Sequence, residues 1–242
     1  MSWVVDQPAT TKKEGARHEE CTDCGKKGTS EEIPKLVAGK WDGKTVDVSW
    51  YLADKEADEY VIRTPEQLAG AAALMNYRDI TTYVNSDGTL AVTEDGTVIY
   101  TDSKGTLYPT GAAGPAGATP TKGTSFAGQT LKLGADIDLG GKPFAPLGCG
   151  SSLQGLFDGA GHTVKNLYVT ADMARHSGYR NQYYFGFFGC VAKEGAVKNL
   201  TLENVEFDVA VPEGAALCHV GGVAADTMQT SSITDVTVKG LR

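Results

Sequence analysis

Several things are scarce or missing in this sequence, and each absence excludes a class of protein. No apolar run approaches the ~18 residues that a membrane helix needs, so no membrane insertion is expected within the chain. No basic run exists, and the formal net charge is −8 over 242 residues, which argues against nucleic acid as a partner. Met1 is followed by Ser2-Trp3-Val4-Val5-Asp6, with neither the basic start nor the apolar stretch of a signal peptide. Five cysteines are an odd number, so a complete disulfide framework is excluded. There is no His-Glu-x-x-His, no Gly-x-Ser-x-Gly and no phosphate-binding loop, so the usual zinc-peptidase, serine-hydrolase and nucleotide sites are not expected. Acids are scattered and arginines few, so the outward carboxylate clusters of polysaccharide-cleaving enzymes are not evident.

Glycine, by contrast, is abundant, with 30 of 242 residues against a typical ~7%. Without a collagen period, that abundance implies many turns and many short strands. Apolar residues make up 41%, enough for a buried core. One helix is expected. Thr64-Pro65-Glu66-Gln67 combines a capping Thr, a Pro at the first helical position and a Gln three residues after the cap, and Leu68, Ala71, Ala72, Leu74 and Met75 follow on one broad face.

The most informative feature is a repeat. VKNLYV (164–169), VKNLTL (197–202) and ITDVTV (233–238) begin 33 and then 36 residues apart. Each follows a glycine or aromatic turn, namely GLFDGAGH (155–162), FGFFG (185–189) and HVGGVA (219–224). LKLGADIDL (131–139) and VEFDVAV (205–211) alternate strictly. Units of this length with strand alternation predict a parallel β-solenoid, mainly β, in which equivalent strands lie one above another. Leu167, Leu200 and Val236 would form one interior column, and Val169, Leu202 and Val238 a second. Asn166, Asn199 and Asp235 would stack at one corner. The helix would cap the first layer. Residues 78–125 read as an excursion, with hairpins at NSDGTLAV and TEDGTVIY and a flexible loop at GAAGPAGATPTKGTS (111–125). Both chain ends look cut, so the C-terminus is expected to be truncated.

From Trp41 on, the chain resembles the GLUG-type right-handed β-helix domains of bacterial surface proteins. The stretches that carry the likeness are WDGKTVDVSWY, YVIRTPEQLAGAAALMN, LGADIDLGGKPFAPLG and LQGLFDGAGHTVKNLYV, with FDG-x-GHT-x-x-NL the most specific. The resemblance implies a right-handed parallel β-helix over residues 37–242 and a Gram-positive, extracellular, adhesin-like setting at the cell surface. The chain is also similar to the non-catalytic N-terminal part of some IgA-specific metallopeptidases. Residues 1–36 resemble a short module repeated in Firmicutes surface proteins, carried by WVVD-x-PAT and G-x-x-H-x-x-C-x-x-CG.

His18, Cys21 and Cys24 in that small Cys-containing β module are candidate metal ligands. Thiolates with imidazole suit zinc, and a short module needs a staple. Only three ligands are visible, however, so a small disulfide, free thiols or a ligand from a neighbouring module are equally open. No other cofactor is expected. Cys149, Cys190 and Cys218 read as small buried hydrophobes. Asp136 and Asp138, with Asp158, have the oxygens for calcium, but Asp136 and Asp138 read first as acids on the solvated face of one strand, and His162 reads as a turn residue ahead of a catalytic base. The segment 171–184 interrupts the repeat and gathers Arg175, His176, Tyr179, Arg180, Tyr183 and Tyr184. Aromatic faces beside planar polar groups suit glycan or protein recognition, and insertions in solenoids tend to lie on the binding face. The expected function is therefore a non-enzymatic, monomeric, adhesin-like stalk or binding segment contacting surface glycans or proteins. The alternatives are an accessory domain of a secreted peptidase and a β-helix carbohydrate-active enzyme.

Overall fold

The computed structural model describes residues 2–7, 15–22, 24–33, 39–78, 80–94, 96–102, 104–111, 114–175 and 181–242. The chain is mainly β. At the N-terminus, β1 (Ser2–Gln7), β2 (Gly15–Glu20) and β3 (Lys27–Ile33) form an antiparallel sheet in that order. A short helix α1 (Ser49–Ala53), strand β4 (Glu59–Ile62) and helix α2 (Pro65–Asn76) follow.

Helix α2 begins as its sequence requires. The Thr64 side chain accepts from the Gln67 N–H, and the Gln67 side chain accepts from the Arg63 N–H. The helix does not bury a single face, however. Pro65 and every residue from Leu68 to Met75 are buried. Small residues let neighbouring backbone approach from several sides. Leu74 C=O accepts from Thr124 N–H, Met75 C=O from the Ser151 hydroxyl, and Asn76 bonds both Pro146 C=O and Cys149 N–H.

The excursion is ordered into a four-stranded antiparallel sheet, β7-β6-β5-β8, made of β5 (Thr81–Val84), β6 (Tyr100–Thr101), β7 (Leu107–Tyr108) and β8 (Thr119–Lys122). The two hairpin turns expected at Gly88 and Gly96 are present, closed by the Asn85 N–H donating to Thr89 C=O and the Thr93 N–H donating to Thr97 C=O. The stretch expected as a flexible loop instead supplies β8, which pairs with β5 from Thr119 to Lys122. Its threonines alternate well enough to fill a sheet edge, despite the glycines around them.

The remaining strands are parallel. They are β9 (Thr130–Leu133), β10 (Ile137–Asp138), β11 (Leu156–Asp158), β12 (Thr163–Lys165), β13 (Tyr168–Val169), β14 (Gln182–Phe185), β15 (Phe188–Val191), β16 (Ala196–Phe207), β17 (Leu217–Val220), β18 (Ala224–Thr227) and β19 (Ser232–Leu241), with helix α3 (Ala171–Ala174) between β13 and β14. One eight-stranded parallel sheet runs β10-β12-β16-β11-β9-β4, with β13 and β19 also on β16. Two parallel pairs, β14-β17 and β15-β18, complete the set. Registers pile inward residues one above another. Tyr60, Leu131, Phe157, Val197 and Ile233 form one such series, and Ile137, Val164, Leu202 and Val238 a second. The core includes Phe126, Phe144, Phe157, Phe185, Phe187 and Phe188, all fully buried.

Leu200 lies beside Val236 and Leu202 beside Val238, as the repeat predicts. The placement of VKNLYV differs from expectation. It lies over LENVEF (202–207), not over VKNLTL, with Val164 on Leu202 and Val169 on Phe207. Two different corners use the same chemistry, an Asn with φ near +55° followed by an inward apolar residue, so the motifs match although the corners differ. Asn166 (φ 58°) donates to Asp138 at 2.7 Å and accepts from Asn204 (φ 55°) at 3.2 Å. Asn199 (φ 53°) donates to Asp158 at 3.1 Å in the other column. Asn166→Ala should cost about 2 kcal/mol, from a left-handed backbone without its amide and a lost partner for Asp138. Asn166→Gly should recover roughly half, measured by urea denaturation, because it removes only the side-chain share.

Candidate functional site

Strand alternation sorts the tyrosines of β14. Tyr183 and Phe185 point inward, and Tyr184 points outward. Tyr183 is 3% exposed and therefore belongs to the core, which corrects its expected place on an outer binding surface. Arg175 is exposed, lies 5.9 Å from the Tyr183 ring and pairs with Asp172 at 3.2 Å. His176, Tyr179 and Arg180 lie outside the described residues.

Tyr184 sits directly beside His219 of β17 by register, with ring centroids 5.1 Å apart. His219 Nδ1 lies 3.8 Å from an Asp226 carboxylate oxygen. Tyr184 also lines a surface cleft of about 280 Å³ with Arg78, Ser151, Gln154, Lys193 and Asp226. The cleft thus holds one aromatic face, two cationic side chains, one carboxylate and several neutral hydrogen-bonding groups. Burial, with Asp226 adding to it, holds the Tyr184 phenol above its ordinary value, so it stays a neutral donor. Its hydroxyl donates to Gln182 at 3.3 Å.

Cys149 and Cys190 also border this cleft. Burial pushes the Cys149 thiol up to about 12, and it donates to Ala174 C=O. Burial, then the charge of Asp226, pushes Cys190 up to about 11. Both are protonated at neutral pH, and a thiol in that state is a packing group and a poor nucleophile. Cys218, expected inside, is exposed because no strand covers β17 among the described residues.

The sequence did not point to Arg78, Gln154, Asp226 or His219. They come from distant segments and share no motif. One signal was available for His219, since it follows Tyr184 by 35 residues, close to the 36-residue spacing of the last two repeats.

In the N-terminal sheet His18 is 3% exposed. Its Nδ1 lies 2.7 Å from Asp6 and its Nε2 3.3 Å from Glu20. The hydrogen bond with Asp6 holds the imidazole above its ordinary pKa and holds Asp6 below the usual carboxylate value. A zinc ion on His18 would have to replace one of these carboxylates. Cys21 and Cys24 flank a tight turn in which Gly25 N–H donates to Cys21 C=O and Cys21 N–H to Lys26 C=O. Among the described residues no group of three or more His, Cys, Asp or Glu is arranged to hold a metal.

The three strand acids are separately engaged. Asp138 is 7% exposed, not solvated as expected, and accepts from Gly140 N–H and Asn166. Asp158 accepts from Ala160 N–H and Asn199. Asp136 accepts from Thr163 N–H and lies 3.2 Å from His162 Nδ1, which makes His162 a turn residue. A second, more open groove of about 400 Å³ includes Lys40, Tyr168, Glu206 and Arg242.

No protein family matches this chain, and neither does any curated protein or solved structure.

Proposed function

We propose that the chain is a non-enzymatic binding module built on a right-handed parallel β-helix, with Tyr184 and its cleft as the contact surface for a surface glycan or protein. The β-helix reading draws on the repeated parallel registers over Leu131, Phe157, Val197 and Ile233 and on the right-handed preference of parallel crossovers. The observation that carries the binding reading is the outward Tyr184 ring bordered by Arg78, Gln154, Lys193 and Asp226 in one concave site. An aromatic face beside a few convergent polar groups suits a polyhydroxylated or peptide ligand. The protonated Cys149 and Cys190 at its border favour binding over nucleophilic catalysis. The setting that fits is the outer surface of a bacterium, where an adhesin-like segment meets host or neighbouring glycans.

The test is a binding screen of the chain against glycans, mucins and matrix proteins. For whichever ligand is captured, Tyr184→Ala should weaken binding about tenfold or more, as a central aromatic contact does. Tyr168→Ala, in the other groove, should leave it unchanged. Wild-type affinity for Tyr184→Ala would remove the cleft as the site. A screen without any ligand would leave a spacer role.

A further inference from the structure

The Tyr184 cleft crosses three successive layers of the parallel stack. Leu153 pairs with Val191, and Val191 with Thr227. Gln154, Lys193 and Gln229, one or two residues further on, therefore come from the same corner of successive layers, and all three line the cleft. Lys193 and Gln229 have left-handed backbone, with φ of 50° and 59°. That conformation suits Gly or Asn. At Asn166, Asn199 and Asn204 the side-chain amide of such a corner is bonded within the chain. The Lys193 and Gln229 side chains are exposed and make no hydrogen bond or ion pair among the described residues. No bond within the chain offsets the backbone cost of placing them there, and such cost gathers at ligand-binding positions.

Charge and size say what fits. Arg78 and Lys193 bring two positive charges to the lining and Asp226 one negative. Asp226 already faces His219 Nδ1 at 3.8 Å. The positive excess is local, because the whole chain carries −8. An occupant with one negative charge is favoured there, whereas a polyanion would be repelled by the rest of the surface. A guanidinium such as that of Arg78 presents a planar fork that matches a carboxylate. The cleft volume of about 280 Å³ falls just below the ~300–1,000 Å³ of small-molecule sites, which is room for a sugar residue and not for the face of a protein. Tyr184, held against His219 at 5.1 Å between centroids, offers the aromatic surface on which a sugar ring stacks.

We infer that the cleft binds an acidic glycan through a sugar bearing one carboxylate, with Arg78 and Lys193 on the carboxylate and Tyr184 against the ring. This rests on the binding reading of the Tyr184 cleft and adds the charge of its ligand.

The probes are sialyllactose and digalacturonate, each beside its methyl ester, titrated into the full chain by calorimetry. At least one acid should bind, with its ester weaker by about tenfold or more. Lys193→Asn removes the charge and suits the left-handed backbone, and it should weaken binding of the acid by about tenfold. Lys193→Arg should retain it. Lys104→Asn makes an equal charge change outside the cleft and should leave binding unchanged, which separates a local contact from a general field. Circular dichroism of each variant checks that it is folded. An ester bound as tightly as its acid, or wild-type affinity for Lys193→Asn, would overturn the inference. If Tyr184→Ala still weakened binding in that case, the cleft reading would stand without it. Wild-type affinity for Tyr184→Ala would remove both. Sulfated lactose bound as tightly as sialyllactose, or no binding of either acid, would overturn the carboxylate assignment and leave the cleft reading to the wider screen.

Discussion

Phe157→Ala is expected to lower the free energy of unfolding by about 3–5 kcal/mol, the range for removing a fully buried aromatic ring. Phe157 is the middle member of the longest inward series, between Leu131 and Val197. It also meets Phe187 and Phe188 edge-on, at 5.7 and 5.2 Å between centroids. Those two rings contact one another at 4.9 Å, and Phe187 stacks on Phe144 at 6.4 Å. Removing Phe157 takes one partner from each ring and leaves a void between parallel strands. The strands are hydrogen-bonded on both sides of β11, to β9 and β16, so they cannot close together to fill it. The residual cavity then adds to the lost transfer energy. Total stability for a domain is typically ~5–15 kcal/mol, so Phe157→Leu, which keeps more of the volume, makes the comparison measurable if Phe157→Ala unfolds. Urea denaturation monitored by circular dichroism reads the change. A loss below about 1 kcal/mol for Phe157→Ala would mean that the ring is not packed as described.

The alternation of Leu131, Leu133, Ile137 and Leu139, and the pairing of Leu200 with Val236, were readable because an inward-outward period of two survives any context. Helix α2 was readable from its capping residues, since Thr64 and Gln67 act locally. Three things were not readable, each for a stated physical reason. The register of Asn166 was misassigned because two corners satisfy the same backbone requirement with the same residue. The strand Thr119–Lys122 was missed because its pairing partner, Thr81–Val84, lies about forty residues away and supplies the order that local composition does not. The cleft at Tyr184 was only half visible. The tyrosine stood out in the sequence, but Arg78, Gln154 and Asp226 reach it through tertiary placement alone. Burial of Tyr183 beside a half-buried Tyr184 follows from strand alternation, and reading 171–184 as an interruption of the repeat hid it.

Gly70→Ala is expected to destabilise the chain by about 3 kcal/mol, although helix propensity alone predicts a gain of ~1 kcal/mol for this change. Gly70 lies mid-helix in α2, where alanine is the best residue in isolation. Here a methyl group would overlap the Asp47 carbonyl oxygen, come within 2.8 Å of its carbon and lie 3.3 Å from a Val48 methyl. Asp47 cannot easily retreat. Its N–H donates to Glu66 C=O at 3.0 Å, and its C=O accepts from the Trp50 indole at 3.0 Å. Moving the segment away would break both bonds and uncover Trp50, which packs against Tyr60 and Phe126. The glycine therefore sets the distance between helix and preceding segment, and overpacking outweighs propensity. Gly39→Ala is the comparison, since nothing lies within 4 Å of the added methyl, and it should change stability by no more than about 0.5 kcal/mol. Thermal denaturation of both variants separates the two terms. A Gly70→Ala chain as stable as the parent would mean that residues 47–48 do not press on the helix, and the close packing that makes α2 buried on all sides would be lost with that contact.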